Sequence, residues 1–317
     1  MVPPLGVRGI SEGLQNLKGF DFLIGKATFV RGSADKNNLD KPLFLPIYFA
    51  KGKMRALRVL LFRLLPLGSY LGIIRLGFFA MYRSGRLRNN PEYRWHYFVP
   101  QLVRPGDVVI DIGANLGYFS SIFCKAAGAN GKVYSVEPIR PYVKQLKKTL
   151  RRETNSVVLD FALGDKNTGK IVLGVPDRFR KIGYLRHGLP TVLSGDAVAD
   201  NKYAFASSLR KASEVFADLA RIDYVKCDIE GYEPVVFDDM KAVFAKHKPL
   251  VQVETWGDNF FRTLNIMTSI GFRPYKISGG NRLAPMRQMP EWELPQGDIL
   301  FVHQDATDRI ASLLERV

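Results

Sequence analysis

The 317-residue sequence is poor in cysteine, with two, and in histidine, with four. Cys124 and Cys227 cannot build a disulfide framework or a multi-cysteine zinc site, which points to a reducing compartment. His96, His187, His247 and His303 are too scattered for a ligand cluster, and no metal is expected. A long hydrophobic run is also missing. In the most apolar stretch, Leu64–Ile74 is uncharged over 11 residues, against the ~18–20 that span a bilayer. The opening residues lack a basic region, apolar core and small-residue cleavage site in that order, so no secretory signal is expected. The expected location is cytoplasmic, with peripheral attachment to the inner membrane surface left open.

A hydrophobic fraction of 46% and a charged fraction of 24% describe a globular chain, excluding wholesale disorder and collagen-like repeats. The formal net charge is +16, but it is unevenly spread. Residues 1–106 hold 17 Lys/Arg and 5 Asp/Glu, a net of +12, and residues 107–317 hold 29 and 25, a net of +4. Ten basic residues and no acid lie between Asp40 and Glu92. The excess therefore belongs to an N-terminal segment, and nucleic acid is not an expected partner.

Residues 1–53 are rich in Pro and Gly breakers and read as a poorly ordered extension; Met54 opens a pattern like a protein start. Residues 54–105 read as a basic, amphipathic helical segment. Leu57, Leu60, Leu61, Leu64 and Leu65 recur at helical spacing, with Arg55, Arg58 and Arg63 toward the other side, and Pro66 interrupts the pattern. Two readings stay open: residues 54–88 lie on an anionic membrane surface, or they pack on the following domain with their arginines in water.

From residue 106 the pattern changes. Asp107–Gly113 is a short buried strand, Tyr118–Ala127 a helix, Lys132–Glu137 a second strand and Pro141–Arg152 a second helix, which together make a βαβ unit. Gly113 and Gly117 allow a sharp turn and close approach of a ligand to the backbone. Strands follow at Ser156–Phe161, Arg221–Asp228, Pro249–Glu254 and Asp298–His303, with a helix at Asn259–Ile270. The alternation predicts an α/β fold with a doubly wound, mostly parallel sheet. In such sheets ligands sit at the carboxyl ends of the strands, a rule that places Asp111, Glu137, Asp228 and Glu254 on one edge.

The loop Asp111-Ile-Gly-Ala-Asn-Leu-Gly117 has only two glycines, whereas a dinucleotide site favours G-x-G-x-x-G. With Glu137 at the next strand end, D-x-G-x-N-x-G resembles the S-adenosylmethionine site of class I methyltransferases. Asp228-Ile-Glu-Gly-Tyr-Glu233, the Ala162-Leu-Gly164 turn and Val251-Gln-Val-Glu254 sharpen the match, which resembles the FkbM-type methyltransferases over residues 106–303. The resemblance implies a seven-stranded Rossmann-like sheet, a methyltransferase domain over 106–317, and S-adenosylmethionine as cofactor. It also implies O-methylation of a sugar, glycolipid precursor or secondary metabolite. By it, Asp111, Gly113, Asn115 and Gly117 form the loop along the methionine part, and Glu137 accepts from the ribose hydroxyls. Ala162 and Leu163 lie beside the adenine, and Asp228 holds the ammonium or the acceptor.

An alcohol acceptor needs a positioned base, for which Glu230, two residues past the strand end, is the first choice, with Asp228 alongside. Glu254 is read as holding the acceptor and Glu233 as capping the next helix. The carboxylates can instead pair with Lys226. Residues 165–220 form a long insertion, read as a lid with a hairpin near Lys170–Val175 and a helix near Ser208–Leu219. His187 in that loop is read as contacting the acceptor. Two alternatives remain: an RNA methyltransferase, and a non-catalytic, membrane-docked protein with a vestigial methyltransferase fold.

Overall fold

The computed structural model describes residues 53–174, 191–192, 203–286 and 297–315, all within one unit, Tyr48–Val317. Two helices come first, α1 (Lys53–Leu64) and α2 (Leu67–Arg83), separated by Pro66, which cannot continue the first and suits the entry to the second. A short helix, α3 (Arg94–Phe98), then leads to β1 (Val108–Ile112), α4 (Tyr118–Ala127), β2 (Lys132–Val136), α5 (Arg140–Leu150) and β3 (Ser156–Leu159). Next come β4 (Ala162–Gly164), β5 (Thr168–Gly174), β6 (Thr191–Val192), β7 (Ala204–Lys211) and the one-turn α6 (Ala212–Val215). The chain closes with β8 (Tyr224–Cys227), α7 (Glu233–Asp239), α8 (Lys241–His247), β9 (Leu250–Thr255), α9 (Asp258–Ser269), β10 (Phe272–Ile277), β11 (Leu283–Pro285) and β12 (Gly297–His303).

The main sheet runs β11-β10-β12-β9-β8-β1-β2-β3. The five strands from β9 to β3 are parallel, whereas β12 and β10 join antiparallel. Seven strands make the expected doubly wound framework, and the three-residue β11 adds an eighth at the edge. Side-chain alternation along each strand sends residues to two separate cores. Val109, Tyr224 and Leu250 join Phe98 and Phe123 on one face; Ile110, Val225 and Val251 join Phe237 and Phe244 on the other.

The insertion folds differently from expectation. β4, β7, β5 and β6 form a second four-stranded sheet in that order. The expected hairpin strand is present as β5, paired antiparallel with β7 and β6. The expected helix from Ser208 is instead the end of strand β7 as far as Lys211, and helix starts only at Ala212. Pairing on both sides of β7 outweighs the weak local helical preference of this segment. The Ala162-Leu163-Gly164 turn is likewise a strand, parallel to β7.

Helix α2 packs on the α/β domain. Tyr70, Leu71, Phe78 and Phe79 are buried with Tyr118 and Tyr142 of α4 and α5. The Gln145 amide donates to Gly68 O at 2.9 Å and accepts from Arg75 Nε at 3.2 Å. Among the described residues no helix is long and apolar enough to cross a membrane.

Candidate functional site

The carboxyl ends of β1, β2, β8 and β9 meet at one edge, where Asp111, Glu137, Asp228 and Glu254 lie. The glycine loop after β1 is tied to β2: Gly113 N and Ala114 N both donate to Val136 O, at 3.0 and 2.9 Å. Gly113, at φ +82°, is needed for packing more than for a ligand. A Cβ there would lie 1.9 Å from Asp228 O. Gly117, at φ +85°, enters α4, and its Cβ would lie 2.9 Å from Leu146 Cδ1. Asn115 also has a positive φ, of 52°, and its N–H donates to Glu137 Oε2 at 2.8 Å.

Glu137 is buried, and its Oε1 accepts from Ile139 N at 2.9 Å. Burial pushes its carboxyl up to about 7, against the pull of these two amide donors. Asp111 is fully buried, and Oδ2 accepts from Ser120 Oγ at 2.5 Å, at the first turn of α4. Its Oδ1 has no hydrogen-bond partner among the described residues. Burial raises its pKa, opposed by Lys226.

Lys226 organises this edge and is itself buried within a strand. It stands in register with Asp111 on β1 and Gln252 on β9, so one polar row crosses three adjacent strands on the α4 face. Its ammonium donates to Asp228 Oδ2 at 3.1 Å and lies 4.8 Å from the Phe119 ring centroid. Burial alone would lower its pKa, but Asp228, Asp111 and Asp298 hold it above the ordinary lysine value. Gln252 donates to Asp298 Oδ1 and accepts from Tyr224 OH, both at 2.7 Å. Burial pushes Asp298 up to about 6, with Lys226 opposing.

Beyond this row, Glu254 is hydrogen-bonded to Asp228. The Asp228 charge, then burial, holds the Glu254 carboxyl well above the usual carboxylate range. Glu230 is half-buried in the following loop with φ 59°, a left-handed backbone that a side chain adopts at a cost. Glu233 fixes that loop from the start of α7: its Oε1 accepts from Ile229 N at 2.8 Å and Gly231 N at 3.1 Å. Glu233 thus ties down the loop before α7 and does not cap the helix, whose start carries no side-chain cap hydrogen bond.

The structure thus gathers Asp111, Gly113, Asn115, Gly117, Glu137, Asp228, Glu230 and Glu254 at one edge. Ala162 and Leu163 lie in β4, where Leu163 packs into the core with Ile110, Ile112 and Val136 and its side chain is only 4% exposed. His187, with Arg178, Arg180, Lys181 and Arg186, lies outside the described residues. Among the described residues no group of three His, Cys, Asp or Glu is placed to hold a metal ion. Both cysteines are buried thiols, Cys124 pushed up to about 12 by burial. Sequence reasoning missed Ser120, Tyr224, Gln252 and Asp298. Lys226 and Gln252, polar residues at one phase of otherwise apolar strands, were the available signal.

The family model described as "Methyltransferase FkbM domain" matches residues 111–274, more than half of the chain. No match is found among curated proteins. Among solved structures, the chain is similar to a SAM-dependent O-methyltransferase from Thermotoga maritima, at 16% identity and a TM-score of 0.38 over 66% of this chain and 64% of that one. It is also similar to a methyltransferase FkbM from Methylobacillus flagellatus KT, at 16% identity and 0.40, over 65% and 49%. A third is fibrillarin from Aeropyrum pernix bound to S-adenosyl-L-methionine, at 12% and 0.34, over 63% and 67%. The chain thus spans less than two-thirds of the length of the first two. Family membership rests on the family match, not on these overlaps.

The edge fits the cofactor of that family. Each Glu137 oxygen accepts one backbone N–H and keeps lone-pair capacity for a vicinal diol. The partnerless Asp111 Oδ1 and the acid-rich rim suit a cationic ligand. The chain belongs to the FkbM methyltransferase family and uses S-adenosylmethionine as its cofactor.

Proposed function

We propose that the protein methylates a hydroxyl oxygen of a sugar, a glycolipid precursor or a secondary metabolite. When bound, S-adenosylmethionine supplies an electrophilic methyl carbon. The Gly113–Gly117 loop, Glu137 and Asp228 hold it, and Lys226 fixes the Asp228 carboxylate through their 3.1 Å contact. An alcohol must lose its proton as its oxygen is alkylated, so the chain needs a carboxylate facing the acceptor.

The observation that carries the reading is the Asp228–Glu254 pair. Since the Asp228 charge and burial favour its protonated form, Glu254 is poorly suited to take up a proton and suited to donate a hydrogen bond to an acceptor oxygen. Proton uptake then falls to Glu230, on the loop clasped by Glu233. The second sheet, β4-β7-β5-β6, lies in the insertion that follows β3, and we read that insertion as a lid on this edge.

A screen with radiolabelled methyl donor against saccharides, lipid-linked sugars and RNA tests the acceptor class; transfer only to RNA bases would sink the proposal. Glu230→Gln is expected to leave cofactor affinity within about twofold and to slow transfer by about 10²–10⁴-fold. Unchanged turnover would remove Glu230 as the base.

A further inference from the structure

The described residues include six large apolar side chains that are well exposed, and five of them sit on α1 and α2: Leu57, Leu60, Leu64, Ile73 and Leu76. Such clustering marks a patch, not the ordinary scatter of surface hydrophobics. Leu57, Leu60 and Leu64 follow one another at helical spacing on α1, as do Ile73 and Leu76 on α2, so each helix turns a single apolar stripe outward. Leu64 is 70% exposed, while Arg58 is only 8% exposed. Arg58 thus turns inward, whereas Arg63 of the same helix is exposed. The inward side is already satisfied, since α2 buries Tyr70, Leu71, Phe78 and Phe79 against the domain.

The surroundings of the stripe are cationic. Arg63, Arg83, Arg86 and Arg88 are exposed, and no acidic residue occurs between Asp40 and Glu92. We infer that the outer face of α1 and α2 is a docking surface for an anionic lipid bilayer, on which both helices lie flat. Leucines enter the acyl boundary and arginines meet the headgroups, each arginine adding roughly fivefold to partitioning. The 17 residues of α2, interrupted by Arg75, suit lying on a bilayer and not crossing it.

Other occupants fit less well. A second copy would bring the same positive rim against this one. Residues 1–52 carry 7 Lys/Arg against 4 Asp/Glu and so offer no compensating charge. RNA would meet the arginines but leave five aliphatic side chains in water.

Flotation of the full chain with vesicles tests the inference independently of any acceptor or activity. Vesicles of phosphatidylcholine with about 30 mol% phosphatidylglycerol should carry the protein, and pure phosphatidylcholine vesicles at least about tenfold less. The exposed-site variant Leu60→Glu/Leu64→Glu/Leu76→Glu should lose about tenfold or more of the partitioning with its melting temperature unchanged. Arg63→Ser/Arg83→Ser/Arg86→Ser should lower it on anionic vesicles alone. No flotation, equal binding to neutral vesicles, or indifference to the Glu variant overturns the inference. So does a dimer in sedimentation that the Glu variant splits, or RNA binding without flotation.

Discussion

Gly113→Ala is the sharpest test of how the cofactor edge is built, because three glycines with positive φ form a graded series. At Gly280, φ is +64° and ψ 19°, and a Cβ would meet nothing within 4 Å. Alanine there bears only the left-handed backbone cost, about 1 kcal/mol. At Gly117 a similar backbone is joined by contacts of 2.9 Å to Leu146 Cδ1 and 3.1 Å to Thr149 Cβ. The leucine end can swing aside, so the total should be about 2–3 kcal/mol. At Gly113 the obstacle is main chain, Asp228 O at 1.9 Å, which cannot yield without parting the loop from the end of β8. More than about 3 kcal/mol is expected, or a fall in melting temperature near 6–12 °C at about 2–4 °C per kcal/mol. Since Asp228 must move, cofactor affinity should also drop for Gly113→Ala and stay intact for Gly280→Ala. Thermal unfolding and calorimetric titration with S-adenosylmethionine read both quantities. If Gly113→Ala melts with Gly280→Ala and binds normally, the close approach of loop and strand is not what Gly113 is for.

Three further outcomes follow from the buried charges. Glu137 titrates at about 7 in the folded chain against 4.5 in the open chain, so the folded state holds the extra proton between these values. Stability of the cofactor-free protein should therefore fall by about 3 kcal/mol as pH rises from about 4.5 to 7 through this group, while cofactor affinity rises as the carboxylate forms. Calorimetry across that range checks the slope, which Glu137→Gln should flatten; affinity falling with pH would contradict it. Lys226→Met strands Asp111, Asp228 and Asp298 without their counter-ion and should cost about 3–5 kcal/mol in urea unfolding, whereas a loss below about 1 kcal/mol would mean water reaches the row. Glu254→Gln removes a carboxyl that Asp228 and burial hold well above the usual range, so any limb of the pH–rate profile set by Glu254 should disappear; an unchanged profile would dissociate Glu254 from turnover.

Much of the main sheet was legible in the sequence because parallel strands buried on both faces are short apolar runs. β1, β2, β8, β9 and β12 all lie within three residues of their expected bounds. Glu137 and Asp228 were readable as acids ending such runs. The second sheet was not, since β7 mixes small and polar residues and takes its conformation from pairing with β4 and β5. The Asp111–Lys226–Gln252 row needs the register of three strands that are remote in sequence, which no local pattern supplies. Leu57 and Arg58 show another limit: periodicity reveals that a helix has two faces, but not which one turns inward.

The placement of β12 has a consequence for how the chain is made. It is synthesised after β10 yet lies between β9 and β10, and behind it Arg309 reaches back to Asp107 Oδ2 at 2.8 Å and Asp223 O at 2.7 Å. Until residues 297–303 have left the ribosome, β9 and β10 cannot join, and each presents an open edge to solvent and to other chains. Assembly of the acid-rich edge is therefore deferred until residues 297–303 emerge, when β12 brings Asp298 to Gln252 and completes the polar row with a single strand insertion.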